Sequence, residues 1–215
     1  MRGAAVRLCL VAAALALQGC ELALLGAGGA AVTAIEDRRT SGTLLDDGGI
    51  ERRASGRIDE RFRDSSLAHV NVTSYSRSVL LTGEVPDERA RDEIEKMVLA
   101  LPNVRGVANE LQVAGVSSLS ARASDSLITS RIKARFLDAG KFNPIHVKVV
   151  TEAGVVYLLG LVLEQEAEDA VEIARTTAGV RKVVKMFDYC AAGDERCVPR
   201  AKPPAEKPRP PRPTV

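Results

Sequence analysis

The side chains of this sequence best suited to proton transfer at neutral pH are its two histidines, His69 and His146. Each opens a run of alternating apolar residues, "HVNVTS" and "HVKVVT", which suits a strand edge better than a catalytic centre. No serine, threonine or cysteine stands in a nucleophile elbow. The acidic sets Asp87/Glu88/Asp92/Glu93 and Glu164/Glu166/Glu168/Asp169 fall where helices should begin, and there they favour the helix dipole. "GAGG" at 26–29 has neither a preceding strand nor a following GK[ST], so it is no phosphate loop. No catalytic residue, metal site or cofactor is expected.

The cysteines carry a different chemistry. "MRGAAVRLCLVAAALALQGC" has a basic start and an apolar run from Leu8 to Leu17, too short to cross a bilayer but suited to a secretory signal. Leu17-Gln18-Gly19-Cys20 resembles a bacterial lipobox, although Gln18 departs from the usual small or branched residue. That resemblance implies cleavage after residue 19 and acylation of Cys20, giving firm attachment through several acyl chains. Glu21, rather than the Asp associated with inner-membrane retention, implies the outer membrane, facing the periplasm. Residues 20–49 are expected to be the acylated N-terminus and a tether. Cys190 and Cys197 lie seven positions apart in "YCAAGDERCV". In an oxidising compartment a disulfide is expected to close that loop and pin the last strand. The alternative, a metal pair, lacks a nearby histidine and further ligands.

Composition narrows the class. Apolar residues make up 46% of the 215 residues, enough for cores, yet the aromatic ones are three Tyr and four Phe, with no Trp. The formal charge of +2 is matched by Arg2 and Arg7, which precede every acidic residue. A nucleic-acid binder would concentrate basic charge and stacking aromatics on a folded domain, and this chain does not. Basic charge gathers instead in the Pro-rich tail, residues 191–215, where Arg200, Lys202, Lys207, Arg209 and Arg212 face Glu206 alone. An extended, unpacked conformation is expected for its Pro-rich part, residues 199–215.

The chain writes one unit twice. "HVNVTSYSRSVLLTGEV" at 69–85 matches "HVKVVTEAGVVYLLGLV" at 146–162 with a shift of 77. Earlier, Ile58, Arg61 and Phe62 match Ile132, Arg135 and Phe136 with a shift of 74, and later Val104 and Val107 match Val180 and Val183 with a shift of 76. Apolar residues every fourth position predict an opening helix in each copy. Two alternating segments predict a hairpin, a second amphipathic helix follows with Pro86 at its start in the first copy, and "ANELQV" or "VKMFDY" predicts a last strand. The fold class is therefore α+β, two αββαβ units, each with two helices on a three-stranded mixed sheet, over 50–114 and 124–190 with a linker at 115–123. Gly83 and Gly160, late in the second strands, are expected to mark a close backbone approach under the second helix.

At "NVTSYSRSVLLTGEVP", "SDSLITSRIKARFL" and "VKVVTEAGVVYLLGLV" the sequence resembles the BON domain, and two such units behind a lipobox resemble the DolP family of outer-membrane lipoproteins. The resemblance runs from the lipobox to about Asp188. It implies a non-enzymatic protein that supports envelope integrity, acts at division sites and binds anionic phospholipid, such as phosphatidylglycerol, through the first helix of the second unit. The family motif often has an aromatic residue where Leu127 stands. The Pro-rich tail and the Cys190/Cys197 pair are not features of that resemblance.

The residues of that helix bear on the implied lipid contact. With Ile128, Ile132 and Phe136 on the core side, Leu127, Arg131, Ala134 and Arg135 form another stripe at i, i+4, i+7 and i+8, with Lys133 beside it. Leu127 can enter acyl chains while guanidinium groups meet phosphates. The candidate phospholipid-binding set is Leu127, Ile128, Arg131, Lys133, Ala134 and Arg135, with Lys141 and Phe142 as neighbours. The matching stripe of the first copy, Arg53, Arg57, Glu60 and Arg61, lacks an apolar member. A second reading is a protein adaptor for an envelope partner, such as outer-membrane assembly or cell-wall amidase machinery, using the first unit's polar helix and sheet edge.

Overall fold

The computed structural model describes residues 37–62, 68–191 and 193–197. Residues 1–36, including the expected signal and Cys20, and the tail from 198 lie outside them. The first domain runs α1 (Ser41–Arg61), β1 (His69–Tyr75), β2 (Ser78–Val85), α2 (Glu88–Leu99), β3 (Gly106–Asn109) and β4 (Gln112–Val113). The second runs α3 (Leu119–Ala139), a 3-10 turn (Pro144–His146), β5 (Val147–Glu152), β6 (Val155–Val162), α4 (Glu164–Arg175) and β7 (Lys182–Tyr189), with a last 3-10 turn at Glu195–Cys197. In each sheet the second strand is central, antiparallel to the first and parallel to the last, so both sheets are mixed. The expected last strand of the first domain is broken into β3 and β4, both paired with β2. At the break Leu111 turns into the core and its N–H is taken by the Asn109 side chain.

Helix α1 begins nine residues before the expected domain start, so 41–49 are helix rather than tether. Thr40 caps it by accepting the Thr43 N–H at 3.1 Å. The extra turns carry Asp47, which is buried and accepts the Ser76 and Arg77 N–H groups at 2.9 and 2.7 Å. Asp125 in α3 does the same for Ala153 and Gly154 at 2.9 and 2.8 Å. Both hairpin turns hold two residues with positive φ (Ser76 51°, Arg77 66°, Ala153 48°, Gly154 73°), a conformation whose exposed N–H pair a helix carboxylate satisfies.

These aspartates correct the register of the opening helices. Asp47, Ile50, Ala54 and Ile58 correspond to Asp125, Ile128, Ile132 and Phe136, a shift of 78 (125 − 47) rather than 74. The expected pairing of Ile58 with Ile132 is one helical turn out, because apolar residues every fourth position fit both alignments. The counterparts of Leu127 and Arg131 are therefore Gly49 and Arg53.

Each domain has its own core between helices and sheet. Ile50, Val79, Leu81, Ile94 and Val98 fill the first, and Ile132, Phe136, Val156, Leu158 and Ala170 the second. The opposite faces of the sheets meet each other. Tyr75 and Leu80 from the first domain pack with Tyr157, Leu159 and Leu161 from the second, and Cys197 joins that cluster. Cys190 and Cys197 are disulfide-bonded, with Cα atoms 6.2 Å apart. The Cys190 N–H extends the β6–β7 ladder to Val162.

Gly83 has φ of +115°, and a Cβ there would strike the His69 carbonyl. A Cβ on Gly160 would strike the His146 carbonyl in the same way. The close approach is thus to the residue that opens the neighbouring strand of the hairpin (His69) or directly precedes it (His146), not to the second helix as expected.

Candidate functional site

Helix α3 is the element that the lipid reading depends on. Ser118 caps its start by accepting the Ala121 N–H at 3.2 Å, and Gly140 ends it in the left-handed conformation. Its inner face seats Asp125, Ile128, Ile132 and Phe136. Ile128, included in the candidate lipid set, is 4% exposed in the core and cannot reach a bilayer without unfolding the domain.

Leu127 is 57% exposed, and Arg131, Lys133 and Ala134 are exposed with it. Residues four apart on a helix are neighbours, so Leu127 and Arg131 stand side by side on the solvent face. Among the described residues neither Arg131 nor Lys133 makes an ion pair.

Arg135 departs from expectation. Its guanidinium donates to the Ile173 carbonyl and Thr177 Oγ1, both at 2.7 Å, and to Thr176 Oγ1 at 3.0 Å. It closes the C-terminal end of α4, where free carbonyls and the dipole favour a cation. The stripe pattern placed it at the solvent edge, but the neighbouring helix end claims it. The adjacent Lys141 pairs with Asp169 at 2.6 Å, and Phe142 is core, edge-to-face with Phe136 at 5.0 Å. Phe142 is therefore out of reach of a lipid surface, while Lys141 stays exposed beside its partner.

Two residues of the exposed face lay outside the expected set. Leu119 is 78% and Leu137 68% exposed. At about 100° per residue they fall on one line five turns apart, with Leu127 about 80° around and Ala123, Ala134 and Ser130, whose hydroxyl donates to the Ser126 carbonyl, between. The apolar strip is about 27 Å long at 1.5 Å per residue. Arg131 borders one side and Lys133 the other, while Asp138 is an acid on the same face. The missed signal was the i, i+4, i+8, i+15, i+18 spacing of Leu119, Ala123, Leu127, Ala134 and Leu137, which needs a helix starting at 119 rather than 124. On α1 the exposed leucine is Leu45, at 76%, and the position matching Leu127 is a buried glycine, Gly49.

The described residues able to hold a metal ion together are His69, Glu84 and Glu152, at the junction of the two domains. No helix among the described residues is long and apolar enough to cross a membrane.

Comparison with known proteins agrees with this architecture. The BON domain family matches twice, over residues 46–115 and 124–191. The outer membrane lipoprotein DolP of Haemophilus influenzae is 34% identical over 180 residues, covering 84% of this chain and 93% of that protein. The 21 kDa hemolysin of Actinobacillus pleuropneumoniae is 31% identical, covering 71% and 79%. Osmotically-inducible protein Y of Escherichia coli is 31% identical, covering 66% and 72%. With two αββαβ units, each matched by the family, the chain belongs to the BON-domain family and is a dual-BON protein similar to DolP.

Proposed function

We propose that this chain is a non-enzymatic lipoprotein of the cell envelope, acylated at Cys20 and facing the periplasm from the outer membrane, whose second BON domain binds anionic phospholipid such as phosphatidylglycerol. The observation that carries the reading is the exposed strip on α3, with Leu127 beside an unpaired Arg131 and Lys133 on the far side. Apolar side chains enter the headgroup boundary while basic groups on either flank meet phosphates, each contributing about 1 kcal/mol at an anionic surface. Likeness to a protein named as an outer membrane lipoprotein supports the anchor. The 17 residues between Cys20 and Arg38 can reach at most about 60 Å when extended, which lets the second domain lie on the membrane that holds the anchor. Its role would be in envelope integrity, at division sites among others.

The test is flotation of the chain from residue 20 carrying Cys20→Ser, which removes acylation, with vesicles of phosphatidylcholine alone or mixed with phosphatidylglycerol. Retention on the anionic vesicles should fall about 30-fold with Arg131→Glu, a two-charge change at the surface. It should also fall with Leu127→Glu and with added salt. Equal retention by all variants would remove the helix from the account.

A second reading, a protein adaptor, draws on the cleft between α4 and β7. Glu164, Glu168 and Glu172 line it with Val171, Lys185 and the exposed Tyr189. A cross-linked protein partner that survives the α3 changes and is lost with Tyr189→Ala would favour it.

A further inference from the structure

The junction of the two domains holds a set of side chains that the lipid reading does not use. His69 and Glu84 face each other across the β1–β2 ladder, with Nδ1 3.2 Å from Oε2. Glu152, at the end of β5 in the other domain, completes the set, and one ligand atom from each residue lies within 4.8 Å of the others. Glu84 is 7% and Glu152 9% exposed. Glu84 also accepts the Ser117 N–H of the interdomain linker at 3.2 Å, and Glu152 accepts the Asn71 side-chain amide at 2.9 Å.

The charge balance is what points to a ligand. Two carboxylates are nine-tenths buried side by side, and among the described residues no lysine or arginine pairs with either. Buried charge without compensation is costly. A proton on His69 would offset one of the two negative charges. A divalent cation with neutral His69 would offset both. One imidazole and two carboxylates suit a borderline cation, with metal–ligand distances of about 2.0–2.2 Å. The Asn71 and Ser117 contacts orient the carboxylates as outer partners of such sites do.

We propose that His69, Glu84 and Glu152 form a zinc-binding site that ties the first BON domain to the second. Two ligands come from the hairpin of one domain and the third from the hairpin of the other, so the ion fixes how the domains sit against each other. This inference stands apart from the lipid reading, which uses the solvent-exposed face of α3 and none of these three residues.

Titration of the chain from residue 20 carrying Cys20→Ser with zinc chloride tests it, since that chain keeps Cys190 and Cys197 bonded and has no other thiol. Calorimetry at pH 7.5 should give one ion per chain, and saturating zinc should raise the melting temperature by about 5 °C. His69→Ala and Glu152→Gln, which alter different domains, should each weaken binding at least tenfold and abolish the thermal shift. Gln at 152 can still accept from Asn71, so that variant is expected to stay folded, and far-ultraviolet circular dichroism verifies it. His146→Ala, the matching histidine of the second copy, should bind as the parent does. No binding at 100 µM zinc would overturn the proposal. So would binding left intact by Glu152→Gln, or lost equally in His146→Ala.

Discussion

The Tyr75 hydroxyl, carried on the first domain's sheet, accepts the Leu161 N–H of the second domain's central strand at 3.2 Å and donates toward the His146 carbonyl at 3.5 Å. Leu161 lies beyond the last residue pair of the β5–β6 ladder, so its N–H has no strand partner on that side. Tyr75 is 3% exposed, and the Arg39 guanidinium sits 4.1 Å over its ring. Burial first of all raises its phenol above the ordinary range, which keeps it a neutral donor and acceptor. One side chain thus completes the backbone bonding of the neighbouring domain.

Tyr75→Phe keeps the ring and leaves the Leu161 N–H buried and unsatisfied. Urea unfolding should show a loss of about 1–3 kcal/mol. No measurable loss would mean that water replaces the hydroxyl.

Arg38 supplies a second tie, donating to the Leu161 carbonyl at 3.0 Å and pairing with Glu166 at 2.5 and 2.9 Å. Burial alone would raise the Glu166 carboxyl, but the Arg38 bonds, the Leu163 N–H and the Arg38 charge outweigh it and hold it below the ordinary value of 4.5. A carboxyl depressed in the folded state stabilises at pH values above its unfolded value and loses that contribution as pH falls through the folded one. The melting-temperature gap between the parent and Glu166→Gln should therefore be full at pH 7 and close as pH falls below 4.5. A gap independent of pH would contradict the ion pair. Arg38→Ala should cost about 2 kcal/mol at pH 7.

The glycine pair differs in severity. Gly83→Ala meets the His69 carbonyl in a backbone conformation that alanine resists, and should cost about 3 kcal/mol or abolish folding. Gly160→Ala meets a carbonyl without the positive φ and should cost less. Thermal unfolding of both variants checks the order.

Arg135→Ala separates stability from lipid contact. Removing the cap on α4 should destabilise the second domain by about 1–3 kcal/mol, seen in chemical denaturation, because the charged donor leaves the Ile173 carbonyl and two hydroxyls. The preference for phosphatidylglycerol over phosphatidylcholine vesicles should stay as it is. A lost preference with unchanged stability would return Arg135 to the lipid face.

The repeat was legible because strand alternation and helical period are written by side chains facing one core, as in Val79/Leu81 and Val156/Leu158. The register of the opening helices was not, since a four-residue slip keeps an apolar face apolar and only the buried Asp47 and Asp125 distinguish the alternatives. Domain docking had a readable trace. "VVYLLGLV" is apolar on both faces, and a strand covered on one side only would alternate with polar residues. Tyr157, Leu159 and Leu161 are the second face of that strand. The grouping of His69, Glu84 and Glu152 had none, because it joins positions 83 residues apart (152 − 69) through a docking geometry no local pattern encodes.

The central claim is that the outer strip of α3, and not its counterpart on α1, enters the bilayer surface. The sequence has no tryptophan, so Leu127→Trp and Leu45→Trp each place one reporter on one helix of the chain carrying Cys20→Ser. With vesicles containing phosphatidylglycerol, the emission of Trp at position 127 should shift to the blue and be quenched by brominated acyl chains, while that at position 45 should stay at its aqueous wavelength. Vesicle binding with the reporter at 127 unshifted, or with both reporters shifted alike, would contradict it.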